Sequence, residues 1–242
     1  RKRSLLYNLR NSYDMDSMYE TLMGLPLFAG TSHQKLSEII GKYRFHFLKF
    51  APGEKIISEG DPCTHLKCII GGYVGLTISN ATKRFKVSQT LEAPDVISPD
   101  FFFGKTTHYP ATATALTDVG IVQIDKADYM NIITSDPIFL FNYLNLLSMN
   151  AQLSVEGVLA LTSGSLEKRI CYWIIALTQN NGKNITLECR HKDMYTVFGV
   201  QRQSLISALD HLRSIGAIEY DNTEIRVTDR KLLMGILTES SD

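Results

Sequence analysis

The chain is poor in the features that would give its chemistry away. Its four cysteines, Cys63, Cys68, Cys171 and Cys189, are too few and too scattered for a disulfide framework, and no C-x-x-C pair exists to start a tetrahedral zinc site. No P-loop, G-x-S-x-G or H-E-x-x-H motif occurs. The six histidines, His33, His46, His65, His108, His191 and His211, show no metal-ligand spacing. These gaps argue against an enzyme and against a resident metal or cofactor. No apolar run approaches the roughly 18 residues that span a bilayer, and the basic start RKRSLLYNLRNSYDMD lacks the apolar centre of a secretory signal. The expectation is a cytoplasmic protein without a membrane partner. Net charge is absent too: 25 Lys and Arg balance 25 Asp and Glu over 242 residues. A polyanionic partner would therefore have to be held by local cations rather than by the overall field.

What is present is a change of period along the chain. From Met18 to about Ser37 the pattern is helical, broken by LPLFAG. From Phe45 onward short apolar runs are separated by Pro52-Gly53, Gly60-Asp61-Pro62, Gly71-Gly72 and Ser79-Asn80, and Val119–Asp125 adds a further run. Evenly spaced short strands predict an antiparallel barrel or jelly roll.

Asp136-Pro137 then reads as the cap and first turn of a long helix. In it Leu140, Leu144, Leu147, Ala151, Ser154, Val158 and Leu161 recur at steps of four and three, a heptad seam that predicts a homodimer. Phe139, Phe141, Tyr143, Leu146, Leu153, Val155 and Leu159 supply a second apolar surface, expected to pack on the barrel. Gly157, beside the seam, is expected to weaken the helix slightly. TSGSLEKR forms a hinge with Ser165 as the next cap, followed by an apolar helix and the turn NNGKN.

The segment FGVQRQSLISALDHLRSIGAI carries the functional argument. With Gly199 in a tight turn, His191 to Phe198 and Gln201 to Ser214 form a helix-turn-helix. Met194, Val197 and Phe198 face inward on the first helix, and Leu205, Ala208, Leu209 and Leu212 on the second. The opposite face of the second helix shows Gln201, Arg202, Gln203, Ser204 and Ser207 in its first turns, where a recognition helix meets base edges and phosphates. Arg190, His191, Lys192 and Arg213 surround the motif as candidate phosphate cations, and IEYDNTEIRVTD alternates around Asp221-Asn222 as a wing hairpin.

The order of parts resembles the cyclic-AMP receptor protein / Fnr superfamily of bacterial transcription regulators. The resemblance rests on LPLFAG, on GEKIISEGD for the family's G-x-x-I-x-x-E-G-D turn, on IIGGYVGL, on ATATAL, and on GVQRQSLISALDHLRSIGAI for its recognition helix. It implies an α+β chain: residues 1–135 as N-terminal helices and a jelly-roll sensor, 136–163 as dimerisation helix and hinge, 164–242 as a winged helix-turn-helix. It implies a sequence-specific regulator binding a palindromic operator in double-stranded DNA, with RNA polymerase and a small-molecule effector as further partners. Arg202 takes the place of the base-reading arginine, Gln203 that of the usual glutamate, and Ser204 that of a phosphate-binding hydroxyl. Ser207 stands where many members carry a second arginine. Tyr195 replaces a small residue where the two helices cross.

The effector cassette departs from the cyclic-AMP pattern. Pro99-Asp100 stands for the Gly-Glu pair and Tyr109-Pro110 for the Arg-Ser pair. Asp100, Phe101, Phe102, Phe103, Lys105, Tyr109, Ala111 and Thr112 then line an apolar site, with Lys105 as its one nearby cation. An effector other than cyclic AMP, or a pocket closed by its own side chains, is expected. The other reading is a cyclic-nucleotide-binding-like module that acts mainly through protein–protein contacts.

Overall fold

The computed structural model describes residues 12–162 and 164–238; the basic start Arg1 to Arg3 lies outside them. Two helices, α1 (Ser12–Met23) and α2 (His33–Lys42), come first. Ser32 starts α2, its hydroxyl accepting the N–H of Lys35. The strands follow: β1 (Phe45–Phe50), β2 (Lys55–Ile57), β3 (His65–Gly71), β4 (Tyr73–Ser79), β5 (Phe85–Glu92), β6 (Asp95–Val96), β7 (Ala111–Ala115) and β8 (Val119–Asp125). Then come α3 (Lys126–Ser135), α4 (Pro137–Ala160), α5 (Leu166–Ala176), β9 (Lys183–Cys189), α6 (His191–Phe198), α7 (Arg202–Ser214), β10 (Ile218–Tyr220), β11 (Glu224–Val227) and α8 (Arg230–Thr238).

The chain divides into two compact units that do not follow sequence order: residues 12–75 with 91–150, and 76–90 with 151–238. The first is the jelly-roll-like unit. Its antiparallel sheet runs β1-β8-β3-β6, and β2 pairs β7. Leu66, Cys68, Ile121, Val122 and Ile124 fill its interior at 0–1% exposure. Helix α4 starts as its Pro first turn requires, with the Asp136 carboxylate accepting the N–H of Ile138.

The second unit has its own core. Leu205, Leu209 and Leu212 of α7 pack with Ile170 and Ile174 of α5, Met194 and Phe198 of α6, and Leu233 of α8. The sequence pattern had not indicated α8 or β9. The unit's sheet runs β10-β11-β9-β5-β4, so most of the β4–β5 hairpin belongs here and not to the jelly roll that brackets it in sequence. β5 pairs antiparallel with β9, from Phe85↔Cys189 through Val87↔Leu187 to Thr90↔Lys183. Lys86 and Glu188 form an ion pair at 2.6 Å across these strands. Gln89, buried at 4% exposure, accepts the N–H of Gln179.

Gly157, beside the seam, has a packing reason. A Cβ there would collide with Cβ of Ala176, so it is a point of close approach between α4 and α5.

Candidate nucleic-acid interface and effector cassette

The helix-turn-helix forms as its residues require. Helix α6 ends at Gly199, whose φ of 65° is left-handed and unstrained only for glycine. Arg169 of α5 donates to the Phe198 carbonyl and lies over its ring at 5.5 Å, a cation at the carbonyl end of α6. Phe198 meets Trp173 edge-on at 5.3 Å, and Trp173 meets Phe85 of β5 at 4.9 Å. The turn is thus braced by a stack that ends in the hairpin.

Helix α7 buries Leu205, Ala208, Leu209 and Leu212 as its period predicts. Gln201 caps it without a side-chain hydrogen bond, and its first turn contains no acidic residue. Gln201, Arg202, Gln203, Ser204 and Ser207 are all exposed. The wing turns at Asp221, whose carboxylate accepts the N–H groups of Thr223 and Glu224.

Four expected positions differ. His191 is buried at 8% exposure against Tyr220, with ring centroids 5.8 Å apart, so it does not face outward as a phosphate donor. Its Nε2 has no hydrogen-bond partner among the described residues. Arg213 is absorbed: it pairs with Asp210 at 2.6 Å and lies 4.7 Å over the Tyr220 ring, while the Tyr220 hydroxyl donates to the same carboxylate at 2.7 Å. Arg190 is held by Asp193 at 2.9 Å, and its hydrogen bond, aided by its charge, keeps that carboxyl below the usual range. Val197, expected inside, is 54% exposed, because the buried face of α6 is set by His191, Met194 and Phe198. Lys192 is exposed, as expected.

On α4, Leu140, Leu144, Ala151, Ser154 and Val158 of the seam are exposed, while Leu147 and Leu161 are half-buried. Of the second surface, Phe139 and Tyr143 are buried but Phe141, Val155 and Leu159 are 66%, 58% and 62% exposed. The side of the helix with nothing packed on it is therefore broader than the seam alone.

The cassette is packed with its own side chains. Phe102 is fully buried and lies 4.8 Å from Phe103 and 5.7 Å from Tyr129, and Tyr143 of α4 closes the cluster on Phe103 at 5.8 Å. Tyr109 is buried and donates to the carbonyl of His65 at 2.9 Å. Ala111 is buried, Phe101 is half-buried, and Thr112 accepts the N–H of Glu59. Asp100 accepts from the Asn150 amide at 2.8 Å, and Tyr143 donates to the Pro99 carbonyl, so α4 holds the cassette at two points. Partial burial raises the Asp100 pKa, and the Asn150 bond opposes that rise. The cation seated on the cassette rings is Lys126, with Nζ 5.2 and 5.4 Å over Phe102 and Phe103, while Lys105 is exposed. Lys126 is spent on aromatic faces rather than aimed at an anion. Among the described residues no group of three or more His, Cys, Asp or Glu is placed to hold a metal, and no helix is long and apolar enough to cross a membrane.

Two family models match separate parts of the chain. The model for the cyclic nucleotide-binding domain matches residues 47–136, and that for the Crp-like helix-turn-helix domain matches residues 168–236. Similar solved structures include the catabolite activator protein of Thermus thermophilus, at 18% identity over 88% of this chain and 98% of that one, with a TM-score of 0.47. DNR from Pseudomonas aeruginosa is 19% identical over 89% of this chain and 96% of its own, with a TM-score of 0.41. The CO-dependent transcription factor CooA from Carboxydothermus hydrogenoformans is 17% identical over 86% and 93%, with a TM-score of 0.40. Among curated protein sequences none matches significantly.

Proposed function

We propose that this chain, which belongs to the cyclic-AMP receptor protein / Fnr superfamily of transcription regulators, is a sequence-specific DNA-binding regulator that works as a homodimer and does not use cyclic AMP. The observation that carries the reading is the first turn of α7. Arg202, Gln203 and Ser204 stand exposed with no acid beside them, on a helix whose other face is locked into the core. Arg202 suits the two acceptors on the major-groove edge of guanine, Gln203 suits adenine, and Ser204 and Ser207 suit phosphate oxygens. The dimer reading is supported by the unpartnered apolar side of α4, since such a patch on one chain marks an interaction surface. Two copies joined there would present two α7 helices to half-sites about one helical turn apart, and so to a near-palindrome.

The aromatic filling of the cassette supports an effector-free or apolar-effector sensor. A cyclic phosphate needs a forked cation and backbone donors. Here Pro99 and Pro110 lack donors, Asp100 adds negative charge, and Lys126 is engaged elsewhere. RNA polymerase as a further partner follows from the family reading alone.

The test is selection of duplexes from a random-sequence pool by the full chain. Enrichment of a two-fold-symmetric site is expected. Recovery of no preferred sequence would refute the reading and leave the alternative, a module acting through protein contacts.

A further inference from the structure

A neutral chain needs a local source of positive charge to hold DNA, and two of the cations expected to provide it, Arg190 and Arg213, are tied to carboxylates. The hairpin supplies others. The register Phe85↔Cys189 carries the hairpin tip past the end of β9 and alongside the start of α6. Ala81, Thr82, Lys83 and Arg84 at that tip are exposed. Arg84 is near enough to Asp193, in the first turn of α6, to act on its carboxylate together with Arg190 and Lys192. Arg84, Arg190 and Lys192 thus gather around a single acid that Arg190 already neutralises, and the exposed Lys83 adjoins Arg84 in the chain. In a helix-turn-helix the first helix crosses the DNA backbone, so what flanks its start lies beside phosphates. The strand order β10-β11-β9-β5-β4 puts the wing on one side of β9 and the hairpin on the other, and the first-turn residues of α7 stay exposed.

We propose that the β4–β5 hairpin is a second wing: a strand pair from within the sensor sequence, built into the sheet of the helix-turn-helix unit, whose Lys83 and Arg84 grip the phosphate backbone beside α6. This rests on the DNA-binding reading above and adds a contact to it.

Full-length chain carrying Lys83→Gln and Arg84→Gln together tests it, by fluorescence anisotropy on the duplex that the wild-type chain enriches from a random pool. Each phosphate contact adds about 0.9 to the slope of log affinity against log salt. The double variant should lower that slope by about 2 per chain, hence about 4 for a dimer. The order of preference among single-base variants of the duplex should not change, because phosphate contacts position rather than specify. Lys83→Arg with Arg84→Lys should keep the wild-type slope. Thr82→Asp, an independent exposed change at the tip, should weaken binding most at low salt. An unchanged slope in the Gln double variant, on a duplex that Arg202→Ala still weakens, would overturn the second wing and leave the DNA reading standing. Failure of the wild-type chain to enrich any duplex would instead overturn the reading on which the hairpin's role depends.

Discussion

Replacing Asp95 by Asn should remove a pH dependence that is built into the jelly roll. Asp95 opens β6, which pairs with β3 through Ile69↔Asp95 and Cys68↔Val96. The residue is only 6% exposed. One carboxylate oxygen accepts the N–H of Val96, and the other is buried with no hydrogen-bond partner. Burial pushes the pKa from 3.8 up to about 6, against the smaller pull of the Val96 bond, and the same charge adds to the burial that lifts the Cys68 thiol to about 12. The native pKa thus lies above the unfolded one. Between those two values the native state holds more protons than the unfolded chain, so stability falls as pH rises through that window and stays low above it. A shift of about two units corresponds to about 3 kcal/mol in all, of which about 2.5 kcal/mol is lost between pH 4 and pH 7. Asn keeps the acceptor for Val96 and carries no charge, but its buried amide lacks a partner at a cost of about 1–2 kcal/mol. The variant should therefore be more stable than wild type by about 1 kcal/mol at pH 7 and less stable by about 1.5 kcal/mol at pH 4. Native-state hydrogen exchange at the β3 amides of Cys68 and Ile69, followed as the difference between the two proteins across pH, reads this directly. Taking the difference cancels the other titrating groups. A difference that stays flat from pH 4 to pH 7 would show that the carboxylate is hydrated, and the reasoning would fail.

Glutamate at Leu144 or Val158, 52% and 66% exposed on the single chain, should leave each chain folded but give monomers in sedimentation, because pairing would bury an unpaired charge; wild type that sediments as a monomer at micromolar concentration contradicts the dimer. Arg202→Ala should cost about 1–3 kcal/mol on the enriched duplex and relax preference at one base pair per half-site, whereas Ser204→Ala should weaken all sequences alike; an unchanged preference profile removes Arg202 from base reading. Gly157→Ala should destabilise the helix-turn-helix unit by about 1–3 kcal/mol, since its methyl would meet that of Ala176; a neutral or stabilising effect in a melt followed by Trp173 fluorescence would show that α4 and α5 can part freely. Calorimetric titration with cyclic AMP should give no binding heat, and low-micromolar affinity lost in Lys126→Ala would show that the cassette can open and that this lysine can leave the rings for a phosphate.

Much of this was legible because it is local. The burial of Leu205, Ala208, Leu209 and Leu212 follows from helical spacing, Gly199 from the need for a left-handed turn, and the start of α4 from Asp136-Pro137. What escaped depends on partners distant in sequence. His191 reads as a surface base until Tyr220 of the wing covers it, and Arg213 reads as a free cation until Asp210 and Tyr220 take it up. Lys126 sits at a strand-to-helix junction with nothing to indicate that its ammonium lies over the cassette phenylalanines. The exposure of Phe141, Val155 and Leu159 could not be told from burial, because the helix carries two apolar surfaces and its period alone does not say which one is covered. Most opaque was β5, whose alternating residues fit either sheet.

That strand also sets an order of events during synthesis. Lys86 leaves the ribosome 102 residues before Glu188, the residue it faces across the sheet. Until β9 emerges, the hairpin presents Phe85 and Val87 along an edge with no neighbour, and the intervening chain must add β6, β7 and β8 to the jelly roll and form all of α4 and α5. Closing so long a loop is slow, and an open strand edge in the meantime is a site for pairing with another chain. Refolding at high concentration should therefore exchange hairpins between copies, each β5 completing the sheet of a neighbour.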